Sequence, residues 1–472
     1  MNLTHPNTNE KVSSLEPNMN DKFLVILGAG ESGTGTAILA KQKGFKVFLS
    51  DKGQIQDKYK AELEAADIEY EEGQHSETRI LEADLVVKSP GIPDKVQLIQ
   101  DLKAKEIPVL GEIEFAYPYS SVPTIGITGS NGKTTTTLLT YHLLQSAGVR
   151  CEMGGNIGKS YARLVADETS DIQWYVLELS SFQLDGVFSY SPEIAMLLNI
   201  TPDHLDRYEY KFENYIASKF RIVKAQHDSR LFIYNGDDAN VTDYFDTNFA
   251  QRWAYDPDLS NQPYAVTKPM YESGVFHVSG WKSTIFDLSK TQLRGQHNFF
   301  NAYCAVVAVL NSGLVEADKI QAGLESFRNA PHRLEPVAIK NGIEYINDSK
   351  ATNVDSVFYA LGAMTKPTIL ILGGVDKGND YAPIDALVKQ KIKAIVCMGI
   401  DNQKILTHYG EYNIPIVESS SATEAVEKAN QFAVSGDTVL LSPACASFDL
   451  FKNYEDRGEQ FKAAVLNLNE EN

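Results

Sequence analysis

The sequence is short of cysteine, of positive charge and of long apolar runs, and each shortage removes a class of protein. It has 4 cysteines in 472 residues. Cys151, Cys304, Cys397 and Cys445 show no paired metal-ligand spacing, and each lies in or beside an apolar segment. A disulfide framework and a zinc ribbon are therefore excluded, and buried reduced thiols are expected. Lys and Arg number 43 against 62 Asp and Glu, a net charge of −19. Counterion release from nucleic acid needs a basic face, so no nucleic-acid partner is expected. Phosphate-bearing small molecules stay open, because a few local cations and backbone amides suffice for them. No stretch is long and apolar enough to cross a bilayer, and the N-terminal MNLTHPNTNEKVSSLEPNMNDK lacks the apolar core of a signal peptide. A flexible leader over 1–20 on a cytoplasmic chain is expected.

A hydrophobic fraction of 43% and 32 glycines suit an α/β protein, and the length suggests about three domains. FLVILGAGESG, TGTAILAKQKGF, KVFLSD and ADLVVKSPGIP alternate strand and helix, which predicts a parallel sheet over 21–113. IPVLGEIEFAYPYSSVP suits an interdomain crossing. The block 114–329 carries the strand-like TIGITGS, WYVLELSSF, EIAMLLNI and RLFIYN, and the helical HNFFNAYCAVVAVLNSG. Within it, 251–289 is turn-rich and aromatic and is expected to form a local antiparallel sheet. The block 330–472, with TILILGG, KAIVCMG, IPIVES and DTVLLSP, reads as a second doubly wound sheet. The expected fold is α/β in three domains, Rossmann-like at both ends around a central P-loop-type domain with a mainly parallel sheet.

Two glycine loops point to phosphate. GAGESG after FLVIL matches the dinucleotide fingerprint at Gly28, Gly30 and Gly33, with Asp51 at the end of the next strand, placed to hold a ribose hydroxyl. The loop fits NAD, another nucleotide diphosphate, or a plain packing turn. IGITGSNGKTTTT is sharper. Lys133 can bridge phosphate oxygens, the amides of Gly129, Ser130, Asn131 and Gly132 form an anion nest, and Thr134 or Thr135 can reach Mg²⁺. Gly126 lies one residue too far from Gly132 for the strict P-loop, which marks a variant loop. Glu178 ends WYVLE at the same sheet edge. TPDHLDRY offers His204 between Asp203 and Asp206 as further metal candidates, with helix caps the alternative. Lys219 sits within the amphipathic FENYIASKFRIV, where spacing alone favours a solvated lysine.

GITGSNGKTT, ELSSFQLD, NITPDHLDRY, YIASKFRI, GQHNFFNAYCA, PHRLE, NDSKATN, GGVDKG and SPACASFD occur in this order and cover nearly all the chain after the leader. Together they resemble the Mur ligases, ATP-dependent amide-bond-forming enzymes of peptidoglycan precursor synthesis. NDSKATN and SPACASFD behind a GxGxxG-bearing first block are similar to the branch that adds D-glutamate to UDP-N-acetylmuramoyl-L-alanine. The resemblance implies that Ser32, Gly33, Asp51, Ser89 and Gly91 hold the UDP moiety, and that Asn156 meets the sugar-peptide near its reacting end. It implies that Lys133 binds the ATP phosphates, that Thr134 or Thr135 and Glu178 hold one Mg²⁺, and that His204 and a carbamylated Lys219 serve a second. A carbamate forms only from a neutral amine, so the Lys219 pKa must be lowered. Asn298 and Asn301 share a helical face and are implied to read adenine, Arg333 to reach the γ-phosphate and Asp348 the ribose. Lys350, Thr352, Lys377, Ser447 and Tyr454 are implied to surround D-glutamate, Tyr454 standing where the family commonly has phenylalanine. Implied catalytic groups are Lys133, His204, Lys219, Arg333 and Lys350. A monomer with small-molecule partners is expected.

Three rivals are distinguishable. An oxidoreductase would leave TGSNGKTT, HRLE and NDSKATN without a task and would bind NAD(H). A folylpolyglutamate synthetase lacks the nucleotide-type first block. A regulatory NTPase would hydrolyse ATP without an amino acid.

Overall fold

The computed structural model describes residues 21–224, 231–249, 263–278 and 284–468, so the leader expected over 1–20 lies outside the described residues. Five short strands form the first sheet: β1 (Phe23–Leu27), β2 (Lys46–Asp51), β3 (Glu69–Glu72), β4 (Leu85–Lys88) and β5 (Val109–Gly111), apolar in the main except for the edge strand β3, Glu-Tyr-Glu-Glu. They pair in parallel in the order β3-β2-β1-β4-β5. The order reverses between β1 and β4, and such a switch point opens a crevice at the carboxyl ends of those strands.

A second sheet follows from β6 (Thr124–Thr128), β7 (Cys151–Gly155), β8 (Trp174–Glu178), β9 (Ile194–Leu197), β10 (Leu231–Asn235) and β11 (Tyr264–Val266). Its order is β11-β10-β9-β6-β8-β7, parallel throughout. Strands β6, β8 and β9 are buried along their whole length, which is why they read as unbroken apolar runs rather than alternating ones.

One reading of this region needs correction. The tract 251–289 is only partly a local antiparallel sheet. β12 (Val275–Phe276) and β13 (Phe286–Asp287) do pair antiparallel, but Tyr264–Val266 adds a parallel strand to β10 and buries Val266 completely. The open apolar edge of β10 outcompetes local pairing; residues 251–262 and 279–283 of the tract lie outside the described residues. The segment expected to cross between the first two blocks is closely packed. Its helix Glu112–Ala116 has all five residues buried. Phe115 lies against Phe45 and Tyr119, and Glu114 accepts from the amides of Phe188, Ser189 and Tyr190.

The third sheet comprises β14 (Glu335–Lys340), β15 (Ile343–Asn347), β16 (Thr368–Leu372), β17 (Ile392–Met398), β18 (Ile416–Ser419) and β19 (Thr438–Leu441), ordered β14-β15-β19-β16-β17-β18. Only β14 runs antiparallel, joined to β15 through Asn341 and Gly342, both at positive φ (52° and 75°). This Asn-Gly pair suits the twist of a tight hairpin.

The chain divides into two compact units. One contains the residues up to Met270 with His277–Thr284 and Asn301–Leu324; the other contains Tyr271–Phe276, Ile285–Phe300 and the residues from Glu325 on. The first unit thus holds the first two sheets; one face of the first shares a core cluster with the second, and its other face has a core of its own around Val25, Leu27, Phe48 and Val86. All four cysteines are free and buried, as expected. Among the described residues no helix is long and apolar enough to cross a membrane.

Candidate active site

Strand β6 runs into the phosphate-type loop, which turns at Gly129 (φ +157°) and Gly132 (φ +85°) and opens the helix Lys133–Ser146. The left-handed φ at Gly132 excludes most side chains there, and a Cβ would also lie 2.7 Å from Asn301 Oδ1. The loop is wired to the segment after β9. Ser130 N–H donates to Asn199 O (2.9 Å) and Asn131 N–H to Asn199 Oδ1 (2.8 Å), while Ser130 Oγ accepts from Thr201 N–H (2.9 Å). Lys133 Nζ curls back and donates to Gly129 O (2.7 Å) and Ser130 O (2.9 Å). Thr135 is buried, whereas Thr134 is partly exposed at the start of the helix.

At the same sheet edge, Gly91, Lys133, Asn156, His204 and Lys219 line one cavity of about 340 Å³. Five residues predicted from separate stretches therefore converge. Lys219 is not solvated; its side chain is buried to 1% exposure, with Nζ donating to Gly129 O at 2.8 Å and lying 4.7 Å from the Tyr215 ring centre. Burial, reinforced by the nearby Lys133, holds its pKa well below the ordinary lysine value. Glu178, at the end of β8, is 2% exposed. Its Oε1 accepts from Asn156 Nδ2 (2.8 Å), and its buried Oε2 has no hydrogen-bond partner among the described residues. His204 sits at φ +51°, half-exposed against Phe182, with its ring 3.6 Å from Asp203. Ser180, Ser181, Phe182 and Tyr215 also line the cavity and were missed in the sequence. ELSSF placed the first three directly after the Glu178 strand end, and Tyr215 lies one helical turn before Lys219.

The first-sheet crevice gathers the residues assigned to UDP. Gly28 takes φ +97°, and a Cβ on Gly33 would lie 1.8 Å from Gly28 O, so the loop closes on the helix Glu31–Gln42 only with glycine. Ser32 sits in that helix's first turn. Ser89, one residue past β4, packs against Gly28. Asp51 accepts from Ala29 N–H (2.6 Å) and Gly53 N–H (2.7 Å), which makes it a brace of the glycine loop; a ribose would use its remaining lone pairs.

In the second unit, Asn298 and Arg333 line a cavity of about 210 Å³ together with Arg294 and Arg328. Asn301 lies on the same helix, Gln296–Asn311, one turn further on, and both asparagines are buried. Asp348 accepts from Leu334 N–H (3.1 Å) and Ser442 Oγ (3.0 Å), and burial lifts its pKa to about 7. Lys350 Nζ lies 3.8 Å from the centre of the Tyr454 ring. Ser447 is buried in the loop after β19, while Thr352 is partly exposed and Lys377 exposed on the turn after the neighbouring β16. Arg457 was not anticipated. Fully buried, it donates to Ser349 O (2.8 Å) and Cys445 O (3.1 Å), tying the NDSKATN and SPACASFD segments together.

Three family models match the chain: the MurD N-terminal domain over 24–97, the Mur ligase middle domain over 127–309, and the Mur ligase glutamate ligase domain over 332–445. Among curated relatives, the UDP-N-acetylmuramoylalanine–D-glutamate ligase of Christiangramia forsetii is 52% identical, covering 95% of this chain and all of the relative. That of Cytophaga hutchinsonii is 48% identical, covering 94% and 99%. Among solved structures, MurF from Acinetobacter baumannii aligns with TM-score 0.59 at 15% identity, covering 94% and 93%. The UDP-N-acetylmuramate–alanine ligase of Thermotoga maritima aligns with TM-score 0.57 at 17% identity, covering 94% and 99%. These two support the fold alone. With half of its residues identical across nearly the full length of a curated relative, the chain belongs to the Mur ligase family, among the UDP-N-acetylmuramoylalanine–D-glutamate ligases.

Proposed function

We infer that this protein is an ATP-dependent ligase that adds D-glutamate to UDP-N-acetylmuramoyl-L-alanine in peptidoglycan precursor synthesis. The near full-length identity to ligases of that name carries the reading. In the proposed division of labour, 21–113 binds the UDP moiety, 114–329 binds ATP, and 330–472 binds D-glutamate. The protein works as a cytoplasmic monomer.

A carboxylate is a poor acyl donor, because its leaving group would be oxide. Transfer of the ATP γ-phosphoryl group onto the substrate carboxylate gives an acyl phosphate, whose leaving group is inorganic phosphate. The glutamate amine then attacks, and the tetrahedral intermediate collapses to an amide. The main barrier to the first step is repulsion between two anions. Lys133 and Arg333 offset it with positive charge; Lys133 would exchange its bonds to Gly129 O and Ser130 O for phosphate oxygens, while the Ser130 and Asn131 amides, donated to Asn199, fix the shape of the loop. Asn298 and Asn301 read adenine, and Asp348 takes the ribose. Lys350, Thr352, Lys377 and Ser447 hold the amino acid, with two cations for its two carboxylates; Tyr454 backs Lys350.

Thr134 or Thr135 with Glu178, and His204 with a carbamylated Lys219, are the groups that would hold Mg²⁺. The unpartnered buried Glu178 Oε2 fits a hard cation. Among the described residues no group of three His, Cys, Asp or Glu side chains is placed to hold a metal by itself, and a Mg²⁺ bound by these groups would need phosphate oxygens or water as further ligands. When bound, Mg²⁺ screens the negative charge of the two reactants. Burial beside Lys133, which lowers the Lys219 pKa and so favours the uncharged amine that CO₂ requires, supports carbamylation.

Phosphate release, measured with UDP-N-acetylmuramoyl-L-alanine and each candidate amino acid in turn, tests the reading. D-Glutamate should give ADP, phosphate and a new amide. Equal ATP turnover without any amino acid would end it.

A further inference from the structure

Arg207 lies three residues beyond His204, on the segment between β9 and the helix Phe212–Lys219. Its side chain crosses to the first sheet. Nη2 donates to Pro90 O at 3.0 Å and Nη1 to Gly91 O at 3.3 Å. The guanidinium carbon lies 4.5 Å from the centre of the Phe182 ring, and Phe182 also packs against the His204 imidazole. The Arg207 N–H donates to His204 O (3.0 Å), closing a turn between the two residues. Any shift of Arg207 is therefore felt at His204.

The segment needs such an anchor. It contains no helix or strand, and His204, Glu209 and Tyr210 all take positive φ (51°, 57° and 56°), which non-glycine residues avoid. The Pro90–Gly91 turn is itself braced from beneath. Buried Lys88 donates to Ile92 O (2.9 Å) and pairs with Asp94 (3.2 Å). Lys88 and Asp185, of opposite sign, both interact electrostatically with Arg207. The contact with the turn is a two-point, planar grip on two carbonyls, a geometry lysine cannot reproduce.

We propose that Arg207 is a positioning residue that latches the His204 segment onto the Pro90–Gly91 turn, so that the fold of the nucleotide-sugar crevice sets the position of His204 in the phosphoryl-transfer cavity. The proposal rests on the ligase reading for the roles of both ends. It adds a physical link between them through one side chain that touches neither reacting atom.

The full-length protein is compared with R207A and R207K for kcat, for each KM, for the Mg²⁺ concentration giving half-maximal rate, and for amide hydrogen exchange over 201–210 without ligand. Misplacing a group in the reaction cavity typically costs about ten- to a hundredfold. R207A should lose kcat to that extent, need several-fold more Mg²⁺, exchange faster over 201–210, and keep its ATP KM within about twofold. R207K should recover only part of the rate. Wild-type kcat or wild-type exchange over 201–210 in R207A overturns the latch. If R207A does not fold, R207K alone must show both changes. An unaltered protein that makes no product with D-glutamate would instead sink the ligase reading, and the exchange comparison would still judge the latch.

Discussion

Lys219 shows how one side chain's environment decides its chemistry. A fully buried ammonium beside a second cation is unfavourable, and the structure resolves this by lowering its pKa. Only the neutral amine can take up CO₂, so Lys219→Ala should cost at least about a hundredfold in kcat, the scale of losing one preorganised electrostatic group. Labelled bicarbonate should give a carbamate carbon signal in the wild type that is absent from the variant. Activity indifferent to both CO₂ and this substitution would refute the assignment. The motif around Lys219 was legible, but its burial was not, because an eight-residue amphipathic helix does not reveal what covers its far face. Tyr454 was a second uncertainty, since its hydroxyl departs from the family's phenylalanine. Its contact with Lys350 uses the face of the ring, which phenylalanine shares. Tyr454→Phe should therefore keep the D-glutamate KM within about twofold, whereas Tyr454→Ala should raise it several-fold, the scale of a cation–π contact of about 1 kcal/mol. Steady-state titration of D-glutamate separates the two.

Among the elements, the strands were the legible part, because runs such as TIGIT and TILIL are buried on both faces and leave an unbroken apolar signal. The short elements were not. Tyr264–Val266 gains its partner from β10, about thirty residues earlier, and the helix Glu112–Ala116 buries two carboxylates, Glu112 and Glu114, whose burial no sequence pattern announces. Glu112 accepts from Ala162 N–H (2.6 Å), and its buried Oε2 has no partner among the described residues. Burial raises its pKa from 4.5 to about 7. The folded state thus holds this proton more tightly than the unfolded state. The linked stability is fully present below about pH 4.5 and is lost as pH rises through about 7. The full swing is on the order of 3 kcal/mol at about 1.4 kcal/mol per pKa unit. Buried Asp348 contributes with the same sign in the other unit. Glu112→Gln should flatten the first unit's share, seen as a smaller fall in melting temperature between pH 5 and about pH 7.5. An unchanged profile would mean that Glu112 is ionised when buried. At the phosphate loop, Gly132→Ala meets both a left-handed φ and Asn301 Oδ1 at 2.7 Å, so ATP kcat/KM should fall about tenfold or more while the D-glutamate KM changes little.

At the scale of the whole molecule, motif order carried the function, because chemistry fixes residue identity at strand ends even where packing varies. The three-block reading did not foresee that the first two sheets would pack as one unit. The joining groups are small and local. Gly35 lets the helix Glu31–Gln42 approach Ser160, where a Cβ would lie 2.3 Å from its Oγ, and Glu31 accepts from Ser160 N–H (3.1 Å). Such contacts leave no periodic mark in a sequence. A ligase on this plan must also protect its product of phosphoryl transfer, because an acyl phosphate left open to water would turn the enzyme into an ATPase. With ATP and UDP-N-acetylmuramoyl-L-alanine but no D-glutamate, steady phosphate release should therefore be a small fraction, about 1% or less, of the complete reaction rate, an exclusion worth about 2.7 kcal/mol. Hydroxylamine, a small nucleophile, should under the same conditions trap the activated carboxyl as a hydroxamate on the sugar-peptide. Phosphate release without D-glutamate at the full rate would show that the anhydride is not sheltered. Its absence together with no hydroxamate would show that phosphoryl transfer waits for the amine, and the two-step order would have to be abandoned.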